Sequence, residues 1–390
     1  MTLPTMALQK HTNLFLESVS SILRNPGRSL VVFFCLTGVL LPFVAALAVS
    51  QGVRAQATVS IAAGADLYVC RSQYGRNGPV ALSEIERIEK MPGVIRVVPR
   101  IVGRTYLGEE LAVVVGIDAV SPVGIQDSSP PPESNQILIG RSLAERLGLS
   151  KGDDFHFSLF PALPFTMAGY LEPNLSLWSA SMVVVSFQAA AQVFKLPDMA
   201  SELLVYCRPG TADRVADELS SIGKPWDMTP PLRVQTKSLV ERYVQRGFGI
   251  QAGTFSMLYV TAFGLAIPAL LILSGLGRGQ RRQEIGIMKA TGWQTLEIME
   301  MMVFENILLA LMASLMSLTL AMLWLKLGNG IGIAQLFISG SGLVPDFPVP
   351  SRFTPLPALF ALLFGLVLTL LGTMISTWRA AVTPPLTTMG

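Results

Sequence analysis

The chain has 390 residues, of which 51% are hydrophobic and only 14% charged, with a mean hydropathy of +0.52; soluble domains carry charge on about a quarter of their residues, so this composition belongs to an integral membrane protein. A net charge of +3 offsets too few phosphates for a nucleic-acid partner, and the apolar content excludes intrinsic disorder. The two histidines, His11 and His156, and the three cysteines, Cys35, Cys70 and Cys207, lack the spacing of a zinc site or a histidine-based triad, so no cofactor is expected in this chain.

Residues 1–28 begin the order of elements. Phe15, Val19, Ile22 and Leu23 share a helical face, and Asn25-Pro26-Gly27 stops that helix, which reads as an amphipathic helix on the inner leaflet. Crossing about 30 Å of hydrocarbon takes roughly 20 apolar residues. Four stretches meet that length, placing transmembrane helices at 29–50, 249–277, 303–327 and 354–378. Ala46-Leu47-Ala48 resembles a signal-peptide cleavage site, but the apolar run is longer than a signal core and follows a lengthy segment, so a retained span is expected. Pro42 and Pro268 are read either as hinges or as kinks held by neighbouring helices.

Lysines and arginines set the orientation, because cationic loops stay on the cytoplasmic side. Lys10, Arg24 and Arg28 precede the first span, Arg278, Arg281, Arg282 and Lys289 lie between the second and third, and Arg379 follows the fourth. Both termini, including the tail at 379–390, are therefore expected in the cytoplasm, and the domain at 51–245 and the loop at 328–353 outside it.

Within 51–245, strands are predicted at 66–70, 94–98, 111–117, 137–139, 155–159, 165–170, 182–186, 202–207 and 232–235, and helices at 83–91, 142–147 and 211–222. Ser128 to Glu133 is a Pro- and Ser-rich junction. The pattern predicts a two-lobed α+β domain, one lobe built from both ends of the insert and a β-rich one inserted between them. Cys70 and Cys207 both fall on strands of the first lobe; a disulfide between them and two separate buried thiols are both open readings.

The segment at 278–302 is too charged for the bilayer, yet it displays Ile285, Ile287, Met288 and Trp293, which a solvated linker has no reason to carry. A short helical protrusion with an apolar face for a partner groove is expected, broken at Gly292 before a new helix over Gln294 to Met302. Glu305, at the edge of the third span, is read as solvated at the interface, and Asp153 and Asp154 as a turn rather than an acid/base pair. No catalytic residue is nominated.

The stretch Arg282-Gln283-Glu284-Ile285-Gly286-Ile287-Met288-Lys289-Ala290-Thr291-Gly292-Trp293 resembles the coupling segment of FtsX-like permeases of the MacB and LolC/LolE type. Ile139-Gly140-Arg141-Ser142-Leu143-Ala144-Glu145-Arg146-Leu147-Gly148-Leu149, followed by Gly152-Asp153, is similar to their periplasmic core pattern, and the arrangement of one span, a large external domain and three further spans also matches. The resemblance implies a non-catalytic permease subunit in a bacterial inner membrane, paired with a second copy or a paralogue, in contact with lipid, and served by a separate ABC ATPase that binds the ATP and magnesium. It implies that Arg282, Glu284, Ile285, Gly286, Ile287, Met288, Lys289 and Trp293 dock that ATPase. A GxxxxGK[ST] sequence is missing from the chain, so ATP hydrolysis must come from another polypeptide. Two functions are consistent with this reading. One is ATP-driven export or extraction of a lipophilic or lipidated substrate by mechanotransmission, and the other is FtsX-like regulation of an external partner such as a cell-wall hydrolase.

Overall fold

The computed structural model describes residues 3–73, 75–117, 135–157, 160–171, 180–221, 231–243, 257, 259–260, 262, 264, 266, 278–334 and 348–382. These form two compact units, one of residues 1–51, 250–345 and 351–390 and the other of 52–249 and 346–350. Most of the span expected at 249–277, with Pro268, lies outside the described residues, as does the junction at 128–133.

The first unit is helical. Helix α1 (Leu3–Arg24) is followed by α2 (Pro26–Ala63) with one intervening residue, Asn25. Pro26 suits the first position of α2, where a missing N–H costs nothing. It nevertheless leaves the Ile22 carbonyl without a backbone donor, and Ser29 Oγ donates to that oxygen at 3.3 Å. The ladder otherwise continues across the junction, from Asn25 N–H to Ser21 O and from Ser29 N–H to Asn25 O, each at 3.2 Å. The expected stop at Asn25-Pro26-Gly27 is thus a one-residue elbow. Beyond it α2 continues past the expected end at residue 50 to Ala63, 38 residues in all, or about 57 Å at helical rise. Pro42 lies inside this unbroken helix.

Helix α8 (Thr295–Leu327) and helix α9 (Pro355–Val382) complete the described bundle. The inward face of α8 is built from Ala310, Ala313, Ser314, Ser317 and Ala321, small side chains that let neighbouring backbones approach. A Cβ on Gly365 of α9 would meet Leu40 Cδ1 at 3.2 Å and Ser314 Oγ at 3.4 Å. Leu36, Leu40, Leu309, Ala313 and Leu368 form the core around this contact. The outward face of α8, with Leu311, Leu315, Leu323 and Leu327, remains exposed, an apolar stripe that lipid solvates and water does not. Both α2 and α8 are long and apolar enough to cross a membrane, and α9 contributes the apolar stretch Ala358–Leu371.

The second unit is α+β. Among the described residues ten strands make one sheet, in the order β12 (Leu232–Thr236), β1 (Leu67–Gln73), β11 (Glu202–Cys207), β4 (Val94–Leu107), β5 (Glu110–Ile117), β9 (Met182–Ser186), β6 (Gln136–Gly140), β8 (Phe160–Leu171) and β7 (Asp154–Phe157), with β2 (Arg76–Gly78) beside β1, while β3 (Val80–Ala81) pairs with β10 (Met199–Ala200). The strands that decide its shape are β1 (Leu67–Gln73), β4 (Val94–Leu107), β5 (Glu110–Ile117), β11 (Glu202–Cys207) and β12 (Leu232–Thr236). Two cores sit on this sheet. One joins Leu67, Val69, Val97, Leu203 and Val205 to Ile88 of α3 (Glu84–Glu89) and to Val215 and Leu219 of α6 (Ala212–Ser221). The other joins Ile101, Val114, Ile139, Phe157, Phe165 and Val185 to Leu143 of α4 (Arg141–Leu147) and to Ala190 and Val193 of α5 (Phe187–Val193). The two cores correspond to the ends and the middle of the insert. They are not separate lobes, however, because the 14-residue strand β4 pairs with β11 through residues 94–100 and with β5 through residues 100–107. Helix α5 was not expected. It lies close against the sheet because Gly103 and Gly116 carry no side chain: a Cβ there would come within 2.3 Å of the Phe194 ring and 2.2 Å of Ala190 Cβ respectively.

The register also corrects the disulfide reading of Cys70 and Cys207. Antiparallel pairing of Leu67 with Val205 and Val69 with Leu203 leaves the two cysteines about five positions apart along neighbouring strands, roughly 17 Å at strand rise, well beyond sulfur reach. They also point to opposite faces, since Cys207 joins the core with Leu203 and Val205, whose partners are the odd-numbered residues of β1. All three cysteines are free thiols. Burial, followed by the Asp66 charge, pushes the Cys207 thiol up to about 11. Denaturing the purified protein without reductant is expected to release three titratable thiols per chain, where a disulfide would leave one. The native protein at pH 8 should alkylate slowly at Cys207, because the thiolate is the reactive form.

Candidate docking site

Helix α7 (Arg278–Ala290) carries the sequence-predicted docking residues. Its end is built by a left-handed glycine. Gly292 has φ +95°, Gly292 N–H donates to Lys289 O at 3.1 Å and Trp293 N–H to Met288 O at 3.0 Å, the paired bonds of a Schellman motif. The accompanying apolar contact is Trp293 with Met288, both in the cluster described below. Two residues later a capping box starts α8, with Gln294 and Glu297 each bonding the other's backbone. The turn between α7 and α8 is thereby fixed at both ends.

Helical spacing divides α7 into two faces. Ile285 is 2% exposed and packs with Leu14 of α1 and with Ile298, Met301 and Met302 of α8, while Met288, Trp293 and Phe304 close the cluster. Gly286 is also buried. On the other side Gln283, Ala290 and Thr291 are exposed, Ile287 is 54% exposed, and Leu296 at the start of α8 is 78% exposed. Glu284 is half-buried and accepts a hydrogen bond from Asn25 Nδ2 at 2.9 Å. Lys289 is half-buried, and the Arg282 side chain lies outside the described residues. The apolar residues that the sequence assigned to a partner as one group are therefore split. Ile285 is covered by the chain's own α1 and α8, Met288 and Trp293 are half-buried against the same cluster, and Ile287 is left as the outward-facing member.

Helix α1 runs along α8 and fixes this arrangement. Lys10 Nζ lies 2.7 Å from Glu297 Oε1 and His11 pairs with Glu300, and the Phe15 and Phe304 rings meet edge to face at 6.0 Å. The Glu297 hydrogen bond and charge hold the Lys10 ammonium above its ordinary value, and the same bond lowers the Glu297 carboxyl. The packed face of α1 is Leu14, Ser18 and Ser21, with Ile22 partly packed on the bundle core. Phe15, Leu16 and Leu23 instead remain exposed, as an interfacial helix touching lipid would leave them.

Glu305 departs furthest from its sequence reading. It is 3% exposed, not solvated, with Arg28 Nη2 at 3.4 Å and Ser21 Oγ donating at 3.4 Å. Leu14, Asn25 and Arg28 thus support the platform from its inner side, while Leu296 is exposed beside its outer face; none of the four is nominated from sequence. The legible signal was the spacing of Ser21, Asn25 and Arg28, which gathers three hydrogen-bond donors on one side of the elbow. Among the described residues no group of three or more His, Cys, Asp or Glu side chains could hold a metal ion.

Residues 255–385 match the family model described as FtsX-like permease C-terminal, and residues 42–222 match the MacB-like periplasmic core domain. Among solved structures, the chain is similar to the periplasmic region of MacB from Actinobacillus actinomycetemcomitans, at 10% identity over 46% of this chain and 92% of that one, with a TM-score of 0.35. It is also similar to the extracellular domain of the noncanonic ABC-type transporter YknZ from Gram-positive bacteria, at 16% identity over 44% of this chain and 99% of that one, with a TM-score of 0.34.

The two faces of α7 should respond differently to charge. Ile285→Asp puts a carboxylate into an apolar cluster and should cost ~3–5 kcal/mol, lowering the thermal midpoint of the purified protein by several degrees. Ile287→Asp should leave that midpoint within about a degree, as surface substitutions do.

Proposed function

Because the chain belongs to the FtsX-like permeases that carry a MacB-like periplasmic core domain, and so is an ABC transporter permease of the MacB/FtsX type, we propose that it couples a separate ATPase to export or extraction of a lipophilic or lipidated substrate. Permeases of this family are inner-membrane proteins whose partner is an ABC ATPase, and they are generally non-catalytic. Our reading extends this to four spans with both termini cytoplasmic, the domain at 51–245 outside the membrane, and a second copy or a paralogue as companion subunit.

The single observation that carries the docking assignment is the outward face of α7. Ile287 and Leu296 are exposed on a segment whose flanking charge keeps it out of lipid, and the face behind them is packed too firmly to turn them inward. Exposed aliphatic side chains on such a rigid platform suit a groove on a partner. Of the residues implied by the family resemblance, Ile287 is proposed to make direct contact, with Gln283 and Thr291 beside it. Ile285, Met288 and Trp293 are proposed to hold the platform in place. The substrate class is supported by the close contact of α2, α8 and α9 through small residues. Close packing at that contact favours handling of substrate in the outer leaflet or outside the membrane.

The test uses the full-length permease in lipid nanodiscs with its cognate ABC ATPase. The wild type is expected to retain the ATPase in stoichiometric amount, and the variant Ile287→Asp/Leu296→Asp to lose it. Adding a lipidated peptide should raise the wild-type ATP hydrolysis rate. A double variant that still holds its ATPase would refute the docking face. A rate indifferent to lipidated peptides but responsive to a cell-wall hydrolase would replace transport with the regulatory role.

A further inference from the structure

The elbow between α1 and α2 touches the docking segment and the bundle at once. Ser21, Asn25 and Arg28 are spaced four and three residues apart, so the nearly continuous helical ladder through the elbow sets them along one side. Asn25 Nδ2 donates to Glu284 of α7 at 2.9 Å. Ser21 Oγ and Arg28 Nη2 each reach Glu305 of α8 at 3.4 Å. Leu14, one helical stretch earlier, packs on Ile285 of α7. A displacement of α7 therefore pulls on α1 and α2 as well as on α8.

Energetics favour this as a stiff connection. Separating a pair as enclosed as Arg28–Glu305 is costly because it strands a charge in apolar surroundings. The elbow thus follows α8 as one body, while α2 leaves it as a single helix to Ala63. Residues 52–63 of that helix belong to the external unit. Lys237 Nζ, from the segment after β12, donates to Ala62 O at 2.6 Å, and Lys237 N–H donates to Asp66 O at 2.8 Å, so the end of α2 is tied into the sheet.

We propose that the elbow is the element through which displacement of α7 enters the external unit, with Asn25 and Arg28 as its positioning residues and the Arg28–Glu305 pair as the joint that makes it rigid. This deepens the reading of α7 as the ATPase-docking helix and rests on it. In that scheme α7 receives motion on its Ile287 face and passes it on through its Glu284 and Ile285 side. The span expected at 249–277 is then not the only route outward.

The experiment is hydrogen exchange of the full-length permease with its ATPase in nanodiscs, with and without ATP and orthovanadate. In the wild type, trapping the nucleotide state should change protection in residues 52–63 and in β1. Asn25→Leu and Glu305→Gln should keep the ATPase in stoichiometric amount and keep wild-type exchange in β1 before nucleotide is added, yet lose the nucleotide-dependent change. Arg28→Lys, which preserves the cation, should retain that change. Asn25→Leu removes no charge, which guards against misfolding as the cause. If both uncoupling variants hold the ATPase and respond to nucleotide as the wild type does, the inference is overturned while the docking reading stands. If the wild type fails to bind the ATPase at all, the docking reading falls and the inference falls with it.

Discussion

A carboxylate enclosed by apolar helices imposes a requirement that the rest of the helical unit meets. Glu305 is enclosed by its own bundle, and its cation comes from Arg28, 277 positions earlier in the chain. For that pair to form, the start of α2 must lie against α8, which brings α1 alongside the first turns of α8 and places Leu14 where Ile285 needs a partner. The Lys10–Glu297 and His11–Glu300 pairs extend the same alignment to the exposed end of α1. Being exposed, these outer pairs contribute little energy and chiefly fix register, whereas the enclosed pair is costly to break.

The platform that results has two unlike sides. The inner side of α7 consumes the apolar residues that make the segment conspicuous in sequence, and the outer side keeps Ile287 exposed, joined by Leu296 from the next helix. The Schellman turn at Gly292 and the capping box at Gln294 set the angle between α7 and α8 with backbone hydrogen bonds rather than with long side chains. A segment built in this way has its orientation fixed at both ends of the turn.

Local chemistry made much of this legible and long-range pairing concealed the rest. Most strands of the second unit can be read because alternating apolar residues are bounded by Gly, Pro and Ser, and Gly148 marks the end of α4 with the left-handed cap it adopts at φ +67°. The seven-residue, Ala-rich α5 is too short to show helical periodicity, and what holds it is the absence of side chains at Gly103 and Gly116 on other strands. The continuous sheet escaped because β4 changes partner midway, a property of pairing and not of composition. In the docking segment, the sequence showed that apolar residues sit among charges. Which of them face inward depends on Leu14, some 270 positions away, and no local pattern encodes that contact. Glu305 escapes local reading for the same reason, since its partners Ser21 and Arg28 come from the elbow, about 280 positions earlier in the chain.

The most direct test of the account is the sidedness and shielding of the outer face of α7. A single cysteine is placed by Ile287→Cys in a background with Cys35, Cys70 and Cys207 replaced, and is labelled with a membrane-impermeant maleimide. The account predicts no labelling from outside intact cells, rapid labelling in inside-out vesicles stripped of the ATPase, and protection when the ATPase is restored. Labelling from outside the cell, or an equal rate with and without the ATPase, would contradict it.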